Sequence, residues 1–256
     1  MTIHIKKNVF ITGGARRIGA KISESLAASG CNVVIHYNKS STAAEKLCKK
    51  INKNKKLAIC VQANLCKEKE IKNAFKKAKN QFGYIDCLVN NASLFEYDNL
   101  KTVNKKSWDN HISANLNGPL ILSKLFHSNL PKKYYGDIIN IIDQRVLNLT
   151  PHFLSYTISK SALWTLTRTL ALELAPRIKV NAIGPGPVIK SKFQTQEEFT
   201  KQCKKMPLKI GSNPSEIAQT VIFLLTIPSI TGQLITLDGG QHLGWGQVDN
   251  KFKLKD

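Results

Sequence analysis

The sequence predicts an α/β fold: a single-domain, doubly wound parallel sheet of about seven strands with helices on both faces. Three observations carry that expectation. Short β-branched runs alternate with longer segments of helical periodicity, the pattern of repeated βαβ units. The first run ends in a glycine-rich turn that opens the first helix. No composition shift, linker or internal repeat interrupts the 256 residues, a length at which one large domain buries a substantial core.

Taken in order, Val9-Phe10-Ile11 is the first strand and runs into the glycines. Asn32–Ile35, Leu57–Val61, Ile85–Val89, Asp137–Ile142, Ile178–Asn181 and Gln233–Leu237 read as the others. Between them, Ile18–Ser29, Ser41–Ile51, Glu68–Gln81, Trp108–Leu130, Phe153–Leu174 and Pro214–Leu225 have helical spacing. Phe153–Leu174 is apolar on most sides, which predicts burial of both faces, the second against another subunit. Ile189–Gly211 breaks the rhythm and reads as a long loop of the kind that covers an active site. The domain is expected to span residues 1–248, followed by a polar, basic and mobile tail over 249–256.

Composition narrows the function. Hydrophobic residues make up 42% and charged residues 21%, which excludes a disordered chain. The longest apolar runs, Leu57–Val61 and Val221–Leu225, have five residues, against about 20 for a membrane helix. The first residues lack the apolar stretch of a signal peptide. The formal charge of +21 raises the question of nucleic acid. However, there are 33 lysines to 5 arginines, and arginine makes most base and bidentate phosphate contacts. The excess concentrates between Glu45 and Asn80, 12 Lys to 3 Glu with little aromatic interleaving, and reads as a solvated face. No specific nucleic-acid partner and no membrane is expected. Cys31, Cys48, Cys60, Cys66, Cys87 and Cys203 form no CxxC pair, so reduced thiols, a cytoplasmic location and no metal site are expected.

The turn Thr12-Gly13-Gly14-Ala15-Arg16-Arg17-Ile18-Gly19 carries the first chemistry. Glycines there permit close backbone approach to a pyrophosphate seated on the helix N-terminus. Arg16 and Arg17 oppose the helix dipole by about 0.3–1 kcal/mol each, a sign that a bound anion reverses. An NAD-preferring protein offers an acid about 20 residues on, to hold the ribose hydroxyl. Here the chain reads His36-Tyr37-Asn38-Lys39-Ser40-Ser41, with a lysine and hydroxyls suited to a 2′-phosphate, which predicts NADP(H).

Tyr156 and Lys160 stand four apart and share a helical face. An ammonium beside a phenol should lower the phenol pKa and let it work as a proton donor near neutrality.

The spacing Thr-Gly-x-x-x-Gly-x-Gly, with Arg17 in the middle-glycine place, resembles the motif of short-chain dehydrogenases/reductases, a Rossmann-type family. The resemblance covers about residues 7–243 and includes Asn90-Asn91-Ala92, Asn115-Leu116-Asn117-Gly118, Tyr156-x-x-x-Lys160 and Asn181-x-x-x-Pro185-Gly186. It implies that Asn115 supports a proton-relay water and that Lys160 also binds the nicotinamide ribose. It further implies that Pro185 and Gly186 border the nicotinamide and that the protein is a homotetramer. The family usually has Ser 13 residues before the Tyr; this chain has Asp143. A carboxylate repels the oxyanion formed from a ketone, and suits a substrate with N–H donors or a ring nitrogen needing a proton.

Asp-x12-Tyr-x3-Lys resembles the pteridine reductase and dihydromonapterin reductase subgroup. Arg17, His36-Tyr37-x-Lys39-Ser40, Asn91-Ala92-Ser93-x-Phe95, Gly184-Pro185-Gly186, Pro207-Leu208 and Asp238-Gly239-Gly240 agree with it. The resemblance implies NADPH-dependent reduction of a dihydropterin or dihydrofolate. Asp143, Tyr156, Lys160 and Asn115 would be catalytic, and Phe95 would stack on the pterin. Arg17 and Ser93 would touch cofactor phosphate or pterin. Gly13, Arg16, Ile18, Gly19, His36, Tyr37, Lys39, Ser40, Asn64, Asn91 and Ala92 would complete the cofactor site. Asn64 departs from the Asp usual near adenine, and Gln241–Asp256 extends the C-terminus. The alternatives are a carbonyl reductase of the 3-oxoacyl carrier-protein type, against which Asp143 argues, and a non-catalytic NADP-binding regulator, against which the intact Asn115, Tyr156 and Lys160 argue.

Overall fold

A computed structural model describes residues 4–190 and 194–246; the expected tail over 249–256 lies outside them. The sheet has seven parallel strands: β1 (Asn8–Ile11), β2 (Asn32–Tyr37), β3 (Ala58–Gln62), β4 (Cys87–Asn90), β5 (Gly136–Ile141), β6 (Ile178–Pro185) and β7 (Leu234–Leu237). Their spatial order is β3-β2-β1-β4-β5-β6-β7. The direction of winding reverses between β1 and β4, and the crevice outside their carboxyl ends is where such sheets bind ligands.

Alternation along each strand feeds two cores. Val9, Ile11, Val33 and Ile35 pack with Ile22 and Leu26 of α1 (Arg17–Ala28) and Val221 and Leu224 of α8 (Pro214–Thr226); α2 (Ser41–Ile51) covers the same face. Phe10, Val34, Leu88 and Ile138 point the other way. They meet Phe75 of α3 (Glu68–Phe82), Phe126 of α5 (Gly118–Asn129) and Leu174 of α6 (Leu154–Leu174). Both faces of the sheet are thus sealed, as parallel sheets require.

Two expectations change. The helix read over Trp108–Leu130 is three pieces: α4 (Lys105–Ile112), a π-helical turn (Ser113–Asn117) and α5. Pro119 has no N–H for the carbonyl of Asn115 four residues back, so the α register fails there. The loop read over Ile189–Gly211 contains a helix, α7 (Gln196–Lys204). Thr195 and Glu198 cap it reciprocally, the Thr195 hydroxyl accepting from the Glu198 N–H and the Glu198 carboxylate from the Thr195 N–H. The second face of α6, expected to meet another subunit, is open in the single chain: Ile158 and Leu172 face outward, Leu172 84% exposed. Among the described residues, no helix is long and apolar enough to cross a membrane.

Candidate active site

The turn after β1 is built for close backbone contact. Gly13 has φ +61°, and a Cβ on Gly19 would lie 2.1 Å from the Gly13 carbonyl oxygen. Arg17 also occupies the left-handed region, at φ +53°. That explains why a glycine suits this place, and a side chain there costs about 1–2 kcal/mol. Its guanidinium donates to the carbonyls of Ile189 and Lys190 at 3.1 and 3.2 Å, clasping the turn to the segment after β6. The α1 N-terminus has no side-chain cap and no acid in its first turn. Its N–H groups and Arg16 therefore offer an anion site.

His36 braces this turn from beneath. It is buried; its Nδ1 accepts from the Gly13 N–H at 3.1 Å and its Nε2–H donates to Ala63 O at 3.0 Å. Those roles fix the neutral tautomer, and burial pulls its pKa down to about 4. Thr12 Oγ1 accepts from the N–H groups of Asn91 and Ala92, and the Asn91 amide donates to the carbonyls of Thr12 and Gly13. The β1 and β4 turns are thereby tied into one rim.

Gly13, Arg16, Arg17, Ile18, Gly19, His36, Lys39, Asn64, Asn91, Ala92 and Ser93 line a single cleft of about 600 Å³. A groove of about 570 Å³ adjoins it at Asn38, Lys39 and Asn64, and Tyr37, Lys67 and Glu70 also line it. Ser40 sits at the N-terminus of α2, and its neighbour Ser41 lines the groove. A still larger hollow at the opposite end of the sheet, around Lys6, Lys7 and Lys50, holds none of these residues. Gly186 is pressed against β7: its N–H donates to Leu237 O at 2.9 Å, and a Cβ would lie 2.7 Å from that of Asp238.

Beside the cleft, α6 and β5 bring the reactive groups together. The Tyr156 hydroxyl donates to Asp143 Oδ2 at 2.9 Å, while Asp143 Oδ1 accepts from the Arg145 N–H at 2.9 Å. Lys160 is buried and donates to Ile141 O at 2.9 Å. Burial lowers its pKa to about 8, against the opposing pull of Asp143. The expected lowering of the Tyr156 pKa is reversed. Burial and the Asp143 charge push it well above the usual phenol value. Lys160 is turned to the Ile141 carbonyl, 5.8 Å from the Tyr156 ring centre, and the hydroxyl faces a carboxylate instead. Tyr156 is thus a neutral phenol whose hydroxyl donates to Asp143.

Asn115 lies in the π-helical turn, fully buried. Its Oδ1 accepts from the Leu94 N–H and the Ser93 hydroxyl, and its Nδ2 donates to Leu94 O and Ser159 Oγ. The side chain therefore fixes the β4 loop that carries Ser93 and Phe95. Phe95 stacks on Phe153 at 4.4 Å and meets the edge of Tyr156 at 4.8 Å.

A second buried chain steadies α6. Asp98 accepts from the Ser155 N–H at 3.0 Å and from its hydroxyl, and His111 Nδ1 lies 2.6 Å from that hydroxyl. Phe153, at the N-cap, makes no side-chain cap, so Asp98 supplies one from a distant loop. Sequence reasoning missed Asp98, His111, Ser155, Arg145 and Phe153. The signals in reach were Arg145 two places past Asp143 and Phe153 three places before Tyr156.

The short chain dehydrogenase model matches residues 7–201. Among solved structures, the FolM alternative dihydrofolate reductase 1 of Brucella suis, in complex with NADP, is 47% identical with a TM-score of 0.90 over 93% of this chain and 95% of that one. The protein of the same name from Brucella canis, complexed with NADP, is 45% identical at 0.91 over 97% and 98%. The 3-oxoacyl-[acyl-carrier-protein] reductase FabG of Staphylococcus epidermidis is 32% identical over 244 residues, 93% of this chain and 100% of that protein. The glycine turn, the parallel sheet and the Asn115, Tyr156 and Lys160 cluster agree with these likenesses, and the chain belongs to the short-chain dehydrogenase family.

Proposed function

We propose that this oxidoreductase uses NADPH to reduce a dihydropterin, either a free pterin or dihydrofolate, to its tetrahydro form. One observation carries the reading: the Tyr156 hydroxyl is hydrogen-bonded to a carboxylate, Asp143, where the family usually has a serine. The likeness to the two Brucella dihydrofolate reductases supports it.

The turn fits the cofactor. Gly19 lets the start of α1 pack against the Gly13 carbonyl, which a Cβ would meet at 2.1 Å, and the uncapped α1 N-terminus with Arg16 suits its pyrophosphate. Lys39 and Ser41, with no acid nearby on β2, suit the 2′-phosphate. When bound, the nicotinamide supplies the hydride to the ring carbon. The chain's own residues handle the substrate and the proton. Phe95 offers a flat apolar face to the ring. Asp143 accepts a ring N–H and orients the edge to be reduced. Tyr156 donates a proton to the nitrogen beside the carbon that takes the hydride, and Asp143 links it to solvent for reprotonation. A ketone would place its developing oxyanion against Asp143, a repulsive arrangement where enzymes ordinarily place donors.

The second reading, reduction of a 3-oxoacyl thioester, draws on the FabG relative. Steady-state NADPH oxidation with 7,8-dihydromonapterin, 7,8-dihydrofolate and an acetoacetyl thioester separates the two. A thioester turned over better than either pterin overturns the proposal.

A further inference from the structure

The aromatic wall beside Asp143 and Tyr156 carries a cation that the reduction itself does not use. Arg145 lies on the turn Gln144–Val146, two residues past Asp143. Its guanidinium carbon is 4.9 Å from the centre of the Phe153 ring and 6.0 Å from that of Phe95. Its hydrogen-bonding capacity is largely unspent. One terminal nitrogen reaches His152 O at 3.4 Å, long for such a bond. Nε is buried with no hydrogen-bond partner among the described residues. No ion pair among the described residues involves it. Nor is it one more member of a generally basic surface: its loop neighbours Leu147 and Leu149 are apolar and exposed. A guanidinium partly withdrawn from water without acceptors is unfavourable until a ligand supplies them.

Location indicates which ligand group does so. A pterin carries its side chain on the ring carbon next to the nitrogen that is protonated, so the groups serving that edge also border the side chain's exit. Those groups are Asp143 and Tyr156. Arg145 stands beside both: its backbone N–H binds Asp143, and its side-chain charge pulls the Tyr156 pKa down against the larger upward push of burial.

We propose that Arg145 is a specificity residue that selects dihydropterins whose side chain bears an anionic group, a carboxylate or a phosphate, over those with a neutral polyol chain. The assignment rests on the pterin-reductase reading. A planar guanidinium matches either anion in a bidentate grip.

The test is a comparison of kcat and KM for 7,8-dihydromonapterin, 7,8-dihydrofolate and a phosphorylated dihydropterin in wild type, Arg145→Gln and Arg145→Lys. NADPH binding, followed by fluorescence, reports on folding. Arg145→Gln should raise KM for the anionic substrates about ten- to a hundredfold, the scale of one lost charged hydrogen bond. The anionic-to-neutral ratio of kcat/KM should fall at least tenfold, and Arg145→Lys should recover part of it. Whichever anion loses more identifies the source. If Arg145→Gln does not fold, the lysine variant carries the test, because loss of the fork alone should lower the ratio several-fold. A ratio unmoved by substitution overturns the assignment and leaves the pterin reading standing. Wild type that reduces none of the three overturns the pterin reading and the assignment with it.

Discussion

Replacing Asp143 by serine restores the family's usual residue and tests the chemistry at one atom. In the structure Asp143 accepts the Tyr156 proton at 2.9 Å and the Arg145 N–H at 2.9 Å. It also raises the pKa values of both Tyr156 and Lys160. Three effects follow from removing its charge. The substrate loses its acceptor and the proton route loses a link, and general acid–base help is worth about 10²–10⁴-fold. Turnover of a dihydropterin should fall on that order, a barrier increase of about 3–5 kcal/mol. Second, the phenol pKa should fall, since burial then acts without the Asp143 charge. Third, the Lys160 pKa, about 8 in the parent, should drop further. Lys160 then loses its proton at lower pH, so the alkaline limb of the kcat/KM profile should move to lower pH. NADPH affinity should stay within about twofold, because Asp143 does not line the cofactor cleft. The assays are stopped-flow NADPH oxidation, fluorescence titration of NADPH and a pH series on both proteins. Undiminished pterin turnover in Asp143→Ser refutes the reasoning, and so does a serine variant whose alkaline limb stays where the parent's lies.

Lys39→Asp should weaken NADPH binding far more than NADH binding in paired titrations; equal losses would show that Lys39 does not meet the 2′-phosphate. His36 makes the turn acid-sensitive. Its pKa is about 4 folded against 6.5 unfolded, so its contribution is complete above pH 6.5 and is lost as pH falls toward 4, about 3 kcal/mol over that window. Thermal unfolding between pH 7 and 4 should show the loss, and a flat profile counts against it. The outward apolar residues Leu120, Ile158 and Leu172 on α5 and α6 call for a second copy. Light scattering should find an oligomer that Leu172→Glu shifts toward smaller species, and a stable, active wild-type monomer contradicts this.

The division between what the residues foretell and what only the fold discloses follows a physical line. Strand and helix identities were legible because burial on both sheet faces forces unbroken β-branched runs and turns punctuate them. Boundaries drifted by one to four residues, as with β6, which continues past Asn181 to Pro185. The capping pair Thr195 and Glu198 was present in the sequence, but the long irregular stretch around it hid α7. Pro119 likewise marked the break between α4 and α5, which an apolar period running through it concealed. Candidate membership came from spacing at the glycine turn and at Tyr156 and Lys160, and otherwise from the family resemblance; eleven of the expected cofactor residues line one cleft. What spacing could not supply was direction. Tyr156 and Lys160 share a helical face, yet their polar atoms diverge, one to Asp143 and the other to the Ile141 carbonyl. The local rule therefore gave the wrong sign for the phenol. The same holds for Arg17, whose departure from glycine is visible in the sequence. Its left-handed backbone and its clasp on Ile189 and Lys190, residues 172 and 173 positions away, exist only once β6 lies beside β5 and carries that segment to the turn. Short-range patterns report which side chains gather, whereas charge and proton direction depend on partners that the fold delivers from elsewhere in the chain. In this site that partner is Asp143, held by the end of β5, and it sets Tyr156 as a donor rather than a phenolate.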